Sequence, residues 1–276
     1  KDILRVRKFL KKRGADIPLI AKIEKWEAWE NLNKILAASD GLMVARGDLG
    51  VEIPLERVPL AQKEIIRRCN HAGKPVITAT QMLESMMNSP HPTRAEVTDI
   101  ANSIFDGTDA IMLSGETAIG RYPVEAVQVM MKIALNTEAA LPYSKMLLDK
   151  GADLEPQTDD AISYAACHTA HQLGAAAIVA FTSSGSTARR VSKYRPGIPI
   201  LAATPSPKQR RRLLLSWGVY PYEIAEPSNV TDLLAQGARL SLETGVARKG
   251  DLIVITAGIP IGMAGTTNLL KVERVE

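Results

Sequence analysis

Short runs of apolar residues alternate with amphipathic stretches along most of the chain, and the first four runs end on polar residues. These four runs cover residues 17–24, 41–48, 75–80 and 109–114. The stretches between them carry apolar residues at helical spacing. Strands rich in Val, Ile, Leu and Ala that alternate with helices indicate parallel strands covered on both faces. The first half of the sequence therefore predicts four βα units.

The second half resumes the same alternation after an interruption rich in Pro, Gly and acidic residues. Its apolar runs cover residues 175–182, 198–204, 219–224, 251–258 and 268–275. We predict a catalytic α/β unit over 1–143, a linker over 144–160 and a C-terminal α/β domain over 161–276. This domain is expected to have three layers around a mostly parallel five-stranded sheet.

Composition excludes several classes of protein. The chain has 276 residues, and 34 Lys and Arg against 30 Asp and Glu leave a formal net charge of +4. The basic runs 5–13 and 208–212 fall on helix-like stretches with little aromatic interleaving, so no nucleic-acid partner is expected. No apolar run approaches the ~18 residues of a membrane span, so no membrane partner is expected either. Cys69 and Cys167 have neither disulfide-framework nor zinc-ligand spacing.

The polar residues that close the first two strands predict a charged site. Glu24 and Asp48 end adjacent predicted strands, so their carboxylates are expected to converge on one hard cation. Lys22 lies two residues before Glu24 and points the same way by the period of two. A cation beside an ammonium group suits phosphoryl transfer or stabilisation of an enolate. The alternative is that these residues form ordinary salt bridges at the strand ends.

Three further segments carry polar groups at strand ends. Segment 45–50 places small residues around Asp48, so its backbone N–H groups would receive a carboxylate or phosphate, unless its glycines serve only backbone geometry. Thr80, Ser114 and Glu116 follow the next two strands, where helix capping is the alternative role.

The second half contains two loops suited to a phosphate. Segment 182–187, TSSGST, joins a strand to a helix and offers hydroxyl groups, a Gly and a helix N-terminus. It lacks the Lys of a P-loop, which argues against nucleotide hydrolysis. The Gly-rich loop 258–268 would close over the same ligand or is simply a turn.

Several long motifs, taken together and in order, resemble pyruvate kinase. They are AKIE, MVARGDLGVEIP, GKPVITATQML, PTRAEV, DGTDAIMLSGETAIGRYPVEAV and GTTNLLKV. The resemblance covers essentially the whole chain and implies the C-terminal half of a TIM-type (β/α)8 barrel, strands five to eight, followed by the C-terminal α/β domain. The first four barrel strands and the lid domain of the family have no counterpart here. We therefore expect a fragment that is inactive by itself.

The resemblance also implies a reaction and its residues. The reaction is phosphoryl transfer from phosphoenolpyruvate to ADP, which gives pyruvate and ATP in glycolysis. By resemblance, Glu24 and Asp48 bind magnesium or manganese, and Lys22 neutralises charge on the phosphoryl group and the enolate. The substrate carboxylate would be held by the Thr80 hydroxyl and by the backbone of Ala45, Arg46, Gly47 and Asp48. Ser114 and Glu116 correspond to residues of the proton relay.

The family also implies partners and regulation. An allosteric phosphometabolite would bind Thr182, Ser183, Ser184, Gly185, Ser186 and Thr187. The family is usually a cytoplasmic homotetramer, and its potassium site and most ADP contacts lie in the part without a counterpart here. Two other functions stay open: an inert module that binds a sugar phosphate or AMP, and a metal-dependent lyase acting on an enol.

Overall fold

The four predicted βα units form a four-stranded parallel sheet in the computed structural model, which describes residues 1–152, 154–263 and 265–276. The chain divides into unit 1, Lys1–Leu141, and unit 2, Pro142–Glu276. The sheet of unit 1 has the order β1-β2-β3-β4, in which every neighbouring pair is parallel. Its strands are β1 Ile20–Ile23, β2 Gly41–Ala45, β3 Val76–Ala79 and β4 Ala110–Met112.

Besides two short 3₁₀-helices, Leu55–Arg57 and Glu84–Met87, eight α-helices accompany these strands in the described part of unit 1. They are α1 Asp2–Lys12, α2 Trp26–Glu30, α3 Leu32–Ala38, α4 Arg46–Glu52, α5 Val58–His71, α6 Arg94–Phe105, α7 Gly115–Ala118 and α8 Pro123–Ala139. Helix α6 begins with a capping box, in which Thr93 and Glu96 each accept a backbone N–H of the other. Ile65, Ile66 and Cys69 of α5 pack with Leu42 and Val44 of β2 in the core. This packing buries one face of the sheet and leaves the strand ends free to carry polar groups.

The strands of unit 1 are shorter than the sequence predicts. Glu24, Asp48, Thr80 and Ser114 all lie just beyond a strand and not inside one. The helical stretch predicted between the first two strands is two helices, because Asn31 ends α2 and begins α3 and donates its side-chain amide to Glu27 O at 2.9 Å. The sequence did not predict two short α-helices, α4 and α7. Helix α4 begins directly after β2, and two residues separate α7 from the end of β4.

Unit 2 contains the predicted five-stranded, mostly parallel sheet. Its strand order is β7-β6-β5-β8-β9, and only the pairing of β8 with β9 is antiparallel. Its strands are β5 Ala177–Phe181, β6 Ile200–Thr204, β7 Val219–Glu223, β8 Leu252–Gly258 and β9 Thr267–Arg274. Its helices are α9 Tyr143–Gly151, α10 Thr158–Leu173, α11 Ser186–Lys193, α12 Pro207–Leu213 and α13 Val230–Glu243.

Two apolar clusters sandwich this sheet and give the domain three layers. One cluster joins Ala166 of α10 and Val191 of α11 to Ile178, and the other joins Leu233 of α13 to Val179 and Ile255. Successive residues of β5 thus enter opposite clusters, as the alternation of side chains along a strand requires.

The prediction of a linker over 144–160 is wrong. Helix α9 occupies much of this stretch, and its Leu147 is 3% exposed in the same core cluster as Ala166. Burial of that side chain stabilises the segment against unit 2, which begins at Pro142. Residue 153, also inside the predicted linker, lies outside the described residues.

Within the described residues, none of the helices combines the length and the apolar character that crossing a membrane requires.

Candidate active site

A lysine and two carboxylates meet at the C-terminal ends of β1 and β2. Lys22 Nζ lies 2.6 Å from Glu24 Oε2 and 3.5 Å from Asp48 Oδ2. Lys22 and Glu24 stand two positions apart at the end of β1, and Asp48 lies in the first turn of α4, directly after the neighbouring strand. The structure therefore brings together the three head groups that the sequence placed at one point.

The three side chains remain open to solvent. Their exposed fractions are 53% for Lys22, 36% for Glu24 and 61% for Asp48. The hydrogen bond to Glu24 and its negative charge raise the pKa of Lys22 above the ordinary lysine value, and Asp48 adds to this. Lys22 is therefore cationic at neutral pH, and both carboxylates are accessible to a ligand from solution.

The junction between β2 and α4 contacts the end of β3. Gly47 N donates to Thr80 Oγ1 at 2.9 Å, and the Thr80 hydroxyl donates to Ala79 O at 2.6 Å. Gly47 has no positive φ, and a Cβ added there would meet Thr80 Oγ1 at an ordinary 3.6 Å. Neither backbone geometry nor protein packing requires glycine here, so the alternative role offered for this residue in the sequence is wrong. The absent side chain leaves the backbone amide approachable.

The backbone after β3 adopts a rare conformation. Thr80 has φ 69° and Gln81 has φ 54°. Left-handed backbone is uncommon for any residue other than glycine, and it is a genuine outlier for β-branched threonine. Such strain persists only where surrounding groups determine the conformation, and it clusters at functional sites.

Arg46 contacts this turn through its side chain. Its Nη2 donates to Thr80 O at 2.7 Å and its Nη1 donates to Asp99 Oδ2 at 2.5 Å. The side chain is only 8% exposed. From the sequence, Arg46 entered the site only through its backbone, so the side-chain contacts are an addition by the structure.

Glu116 ties the ends of β3 and β4 together. It is 3% exposed, and its two oxygens accept the backbone N–H groups of Leu83 at 3.1 Å and Ser114 at 2.8 Å. Ser114 occupies the position before helix α7, but its side chain makes no capping hydrogen bond. The capping role offered as the alternative for Ser114 is therefore absent.

A separate pocket in unit 2 contains both Gly-rich loops. It holds about 520 Å³ of space free of protein atoms and is open to solvent. Five residues of the segment 182–187 line it, together with Gly258, Ile261, Gly262, Met263, Gly265 and Thr266 of the second loop. The two loops therefore face one space, as the sequence allowed, and Ala264 of the second loop lies outside the described residues.

Neutral groups build the segment 182–187. Gly185 N donates to Thr182 Oγ1 at 2.8 Å, and the hydroxyls of Ser184 and Ser186 lie 2.9 Å apart. Gly185 has φ 83°, which requires glycine, and helix α11 begins at the next residue. Thr187 shares a buried hydrogen bond of 2.8 Å with Thr267, which fixes this segment to the start of β9.

Comparison with known proteins places both units in one family. A family profile described as "Pyruvate kinase, barrel domain" matches residues 1–127, and another described as "Pyruvate kinase, alpha/beta domain" matches residues 160–273. The chain belongs to the pyruvate kinase family. This confirms the resemblance noted in the sequence motifs.

Individual relatives of the family agree with this assignment. A pyruvate kinase of Clostridium acetobutylicum is 52% identical over 276 residues, which is 100% of this chain and 58% of the relative. A pyruvate kinase of Bacillus licheniformis is 55% identical over 272 residues, 98% of this chain and 46% of the relative. The chain thus spans about half the length of these relatives.

A solved structure of the family shows the same fold. The crystal structure of a pyruvate kinase from Cryptosporidium parvum has a TM-score of 0.93 and 38% identity, and the match covers 100% of this chain and 56% of that chain.

The donor set at the strand ends fits a hard divalent cation. Among the described residues, no group of three or more His, Cys, Asp and Glu side chains could hold a metal ion. Glu24 and Asp48 therefore supply two carboxylates only. Mg²⁺ is commonly held by one or two carboxylates, with substrate phosphates and water completing its coordination. The residues present fit this kind of open site.

Sequence reasoning missed several residues of both sites. Asp99 lies on α6 and contacts Arg46, and no local pattern marks it. In unit 2, Glu226 lines the pocket together with Ile224, Pro227 and Leu233. Glu226 follows β7 closely, so the same search for polar residues after strands would have found it.

Proposed function

We propose that this chain is part of a pyruvate kinase and that unit 1 corresponds to the C-terminal half of the barrel of its relatives. The consecutive parallel order β1-β2-β3-β4 and the coverage of about half of each relative support this assignment. The sheet has two open edges, at β1 and β4. Parallel strands with open edges are normally paired or covered, as they are in a closed barrel.

The observation that carries the function is the contact of Lys22 with both Glu24 and Asp48. In the proposed reaction, the phosphoryl group leaves the enol oxygen of phosphoenolpyruvate for the terminal phosphate oxygen of ADP. The enolate left behind then takes a proton on carbon to give pyruvate. Negative charge develops on the phosphoryl and enolate oxygens, and the Lys22 ammonium stabilises it.

Glu24 and Asp48 would hold the divalent cation, magnesium or manganese. When bound, this ion neutralises phosphate charge and orients the reacting oxygens. Glu24 and Asp48 now contact Lys22, and if these carboxylates held the cation instead, the Lys22 ammonium would be free to contact the substrate.

The junction of Ala45, Arg46, Gly47 and Asp48 with Thr80 would hold the substrate carboxylate. Gly47 N–H and the Thr80 hydroxyl now bond within the protein. A carboxylate oxygen is the stronger acceptor, since charge-assisted hydrogen bonds exceed neutral ones. Substrate would therefore take over both donors, at a position where the Gly47 backbone has no side chain in the way.

Ser114 and Glu116 are the proposed route of the proton to the enolate carbon. Glu116 is buried, and both of its oxygens already accept backbone N–H groups. The hydroxyl of Ser114 is therefore the group of this pair that would deliver the proton, while Glu116 holds the Ser114 backbone in place.

Unit 2 is the proposed allosteric domain. Residues 182–187 would bind the phosphate of a sugar phosphate or of AMP through hydroxyls and backbone N–H groups at the start of α11. We further propose the family's glycolytic, cytoplasmic setting, a homotetramer, and potassium dependence through residues outside this chain.

A Lys22→Ala variant of the natural full-length polypeptide that carries this sequence tests the proposal. Pyruvate formation from phosphoenolpyruvate, ADP and Mg²⁺ is expected to fall by roughly 10³-fold or more, because charge stabilisation at the transferring group is lost. Lys25→Ala, an exposed lysine three residues away, is the matched control and should keep full activity. Near-normal turnover of Lys22→Ala would contradict the proposed role.

A second function, an inert phosphate-binding module, is favoured by one observation: the pocket of unit 2 is lined entirely by residues of that unit. Calorimetry of the 276-residue chain with AMP and sugar phosphates, beside the pyruvate assay on the same preparation, separates the two. Binding without any pyruvate formation by the full-length polypeptide would favour the module. Pyruvate formation without ADP dependence would instead indicate an enol lyase.

A further inference from the structure

The side chain of Arg46 is buried between three groups that the proposed reaction does not use. Its Nε and Nη2 reach Thr80 O at 3.2 and 2.7 Å, and Nη2 also reaches Gln81 O at 3.3 Å. Its remaining nitrogen, Nη1, donates to Asp99 Oδ2. A guanidinium group has several donors in a fixed planar arrangement, so it can bind two carbonyls and a carboxylate at once.

The two carbonyls belong to the two left-handed residues, Thr80 and Gln81. This backbone is unfavourable for threonine in isolation, so a neighbouring group must hold it. Arg46 is the charged side chain bonded to both carbonyls. On the other side of the same turn, the Glu116 carboxylate accepts Leu83 N at 3.1 Å.

The position of Arg46 in the chain couples this turn to the candidate carboxylate site. Arg46 bonds the main-chain oxygen of Thr80, and the next residue, Gly47, bonds its side-chain oxygen at 2.9 Å. Two consecutive residues therefore hydrogen-bond the same threonine, one at its carbonyl oxygen and the other at its hydroxyl oxygen. Rotation of the Thr80 backbone out of its left-handed conformation would move the hydroxyl away from the Gly47 N–H.

We propose that the Arg46 side chain, anchored by Asp99, is a positioning residue that keeps the Thr80 hydroxyl and the Gly47 N–H in the geometry that binds the substrate carboxylate. This inference rests on the proposed function, because it names what positions that site. The side chain of Arg46 acts through Thr80 and needs no contact with the substrate, whereas its backbone belongs to the proposed carboxylate site.

Kinetics of Arg46→Lys and Asp99→Asn in the natural full-length polypeptide test the proposal. A lysine keeps the charge but cannot bind two carbonyls and Asp99 together. We expect KM for phosphoenolpyruvate to rise about 10-fold or more in Arg46→Lys, and less in Asp99→Asn, since small displacements at a reacting site are costly. KM for ADP and the affinity for Mn²⁺ should stay within about twofold of the wild type, since neither depends on Thr80.

A purely structural role would give a different pattern. It would lower the melting temperature and reduce the active fraction while leaving KM for phosphoenolpyruvate unchanged, and that result would overturn the proposal. Asp99 is 40% exposed, so Asp99→Asn is the deciding variant if Arg46→Lys fails to fold. An unchanged KM for phosphoenolpyruvate in folded Asp99→Asn would also overturn it.

Hydrogen exchange of the natural full-length polypeptide and its two variants separates this inference from the proposed function. In both variants, faster exchange at the amide of Gly47 is expected, because its acceptor on Thr80 is released. Unchanged exchange there overturns the positioning role. A wild-type polypeptide that makes no pyruvate overturns the proposed function even where the exchange result is as expected.

Discussion

The two candidate sites both lie after parallel strands, yet charged side chains form the first site and neutral groups form the second. In unit 1, Lys22, Glu24 and Asp48 place three exposed charges together. In unit 2, the segment 182–187 offers hydroxyls and a glycine turn, and no Lys or Arg is among the described residues that line its pocket. The first arrangement suits charge that develops during a reaction, as in the proposed phosphoryl transfer, and the second suits a ligand whose charge does not change, as in the proposed binding of a phosphate.

The two sites also use glycine for different reasons. Gly185 needs its positive φ, whereas Gly47 has ordinary helical backbone and room for a Cβ. The fold requires glycine at position 185, whereas at position 47 the absent side chain leaves space for the proposed substrate carboxylate. The comparison therefore makes opposite predictions for the same substitution in the two units.

The largest expected effect concerns the charges of unit 1. Glu24→Gln combined with Asp48→Asn should weaken Mn²⁺ binding by about 100-fold. Mutation of residues that only hydrogen-bond a metal's ligands already lowers metal affinity by roughly 10–100-fold. Electron paramagnetic resonance of free Mn²⁺ measures this affinity. The control is Glu52→Gln, which changes an exposed carboxylate at the end of α4. Equal Mn²⁺ affinity in the double variant and the wild type would show that Glu24 and Asp48 do not bind the metal.

Gly47→Ala is expected to impair binding without loss of stability. The added Cβ would lie 3.6 Å from Thr80 Oγ1, beside the two donors that we propose for the substrate carboxylate. KM for phosphoenolpyruvate in the full-length polypeptide should rise about 10- to 100-fold, the value of a hydrogen bond to a charged group. The melting temperature of the chain should be unchanged or slightly higher, because alanine is favoured over glycine in helices. A lower melting temperature with normal KM would show that the fold requires this glycine and that substrate binding does not.

Gly185→Ala should do the opposite in unit 2. Its φ is 83°, and an added Cβ would lie 3.2 Å from Leu213 Cδ2 and closer still to the end of Arg189. We expect the free energy of unfolding of unit 2 to fall by about 1–2 kcal/mol, because alanine is strained in left-handed backbone. Urea unfolding followed by the fluorescence of Trp217 of unit 2, in a background where Trp26 and Trp29 of unit 1 are replaced by Phe, measures this loss. Unaltered stability would show that the turn relaxes and that the glycine serves ligand access instead.

The smallest expected effect concerns Glu64, a charged residue of unit 1 outside the candidate site, and its contribution to the free energy of unfolding. Hydrogen bonds from Arg67 and then Arg68 lower the pKa of Glu64 from 4.5 to about 2. Because the folded-state pKa lies below the unfolded one, this stabilisation is present above pH 4.5 and is lost as pH falls toward 2. Glu64→Gln should lower the free energy of unfolding at pH 7 by about 0.5–1 kcal/mol, with a smaller difference at pH 3.

Glu30→Gln, which changes an exposed carboxylate at the end of α2, is the control for this pH series. A difference between Glu64→Gln and wild type that does not shrink on acidification would show that the side chain acts through packing and not through its charge.

Much of the fold was predictable because strands and helices follow local patterns of apolar residues. The four strands of unit 1 and the five of unit 2 all occur where the apolar runs predict them. The ends of these elements were less predictable, since Thr80 leaves β3 through a left-handed turn that threonine seldom adopts. The linker prediction failed because the burial of Leu147 outweighed the polar composition around it.

The sequence by itself determined which residue types stand at the strand ends, and hence the charged group Lys22, Glu24 and Asp48. Spacing of two along a strand and the parallel pairing of neighbouring strands suffice for that. Only the tertiary structure decided what holds them in place. Arg46 meets Asp99 53 positions away in the sequence, and Glu116 meets Leu83 33 positions away. No local periodicity encodes such contacts, because they form only once separate elements pack together.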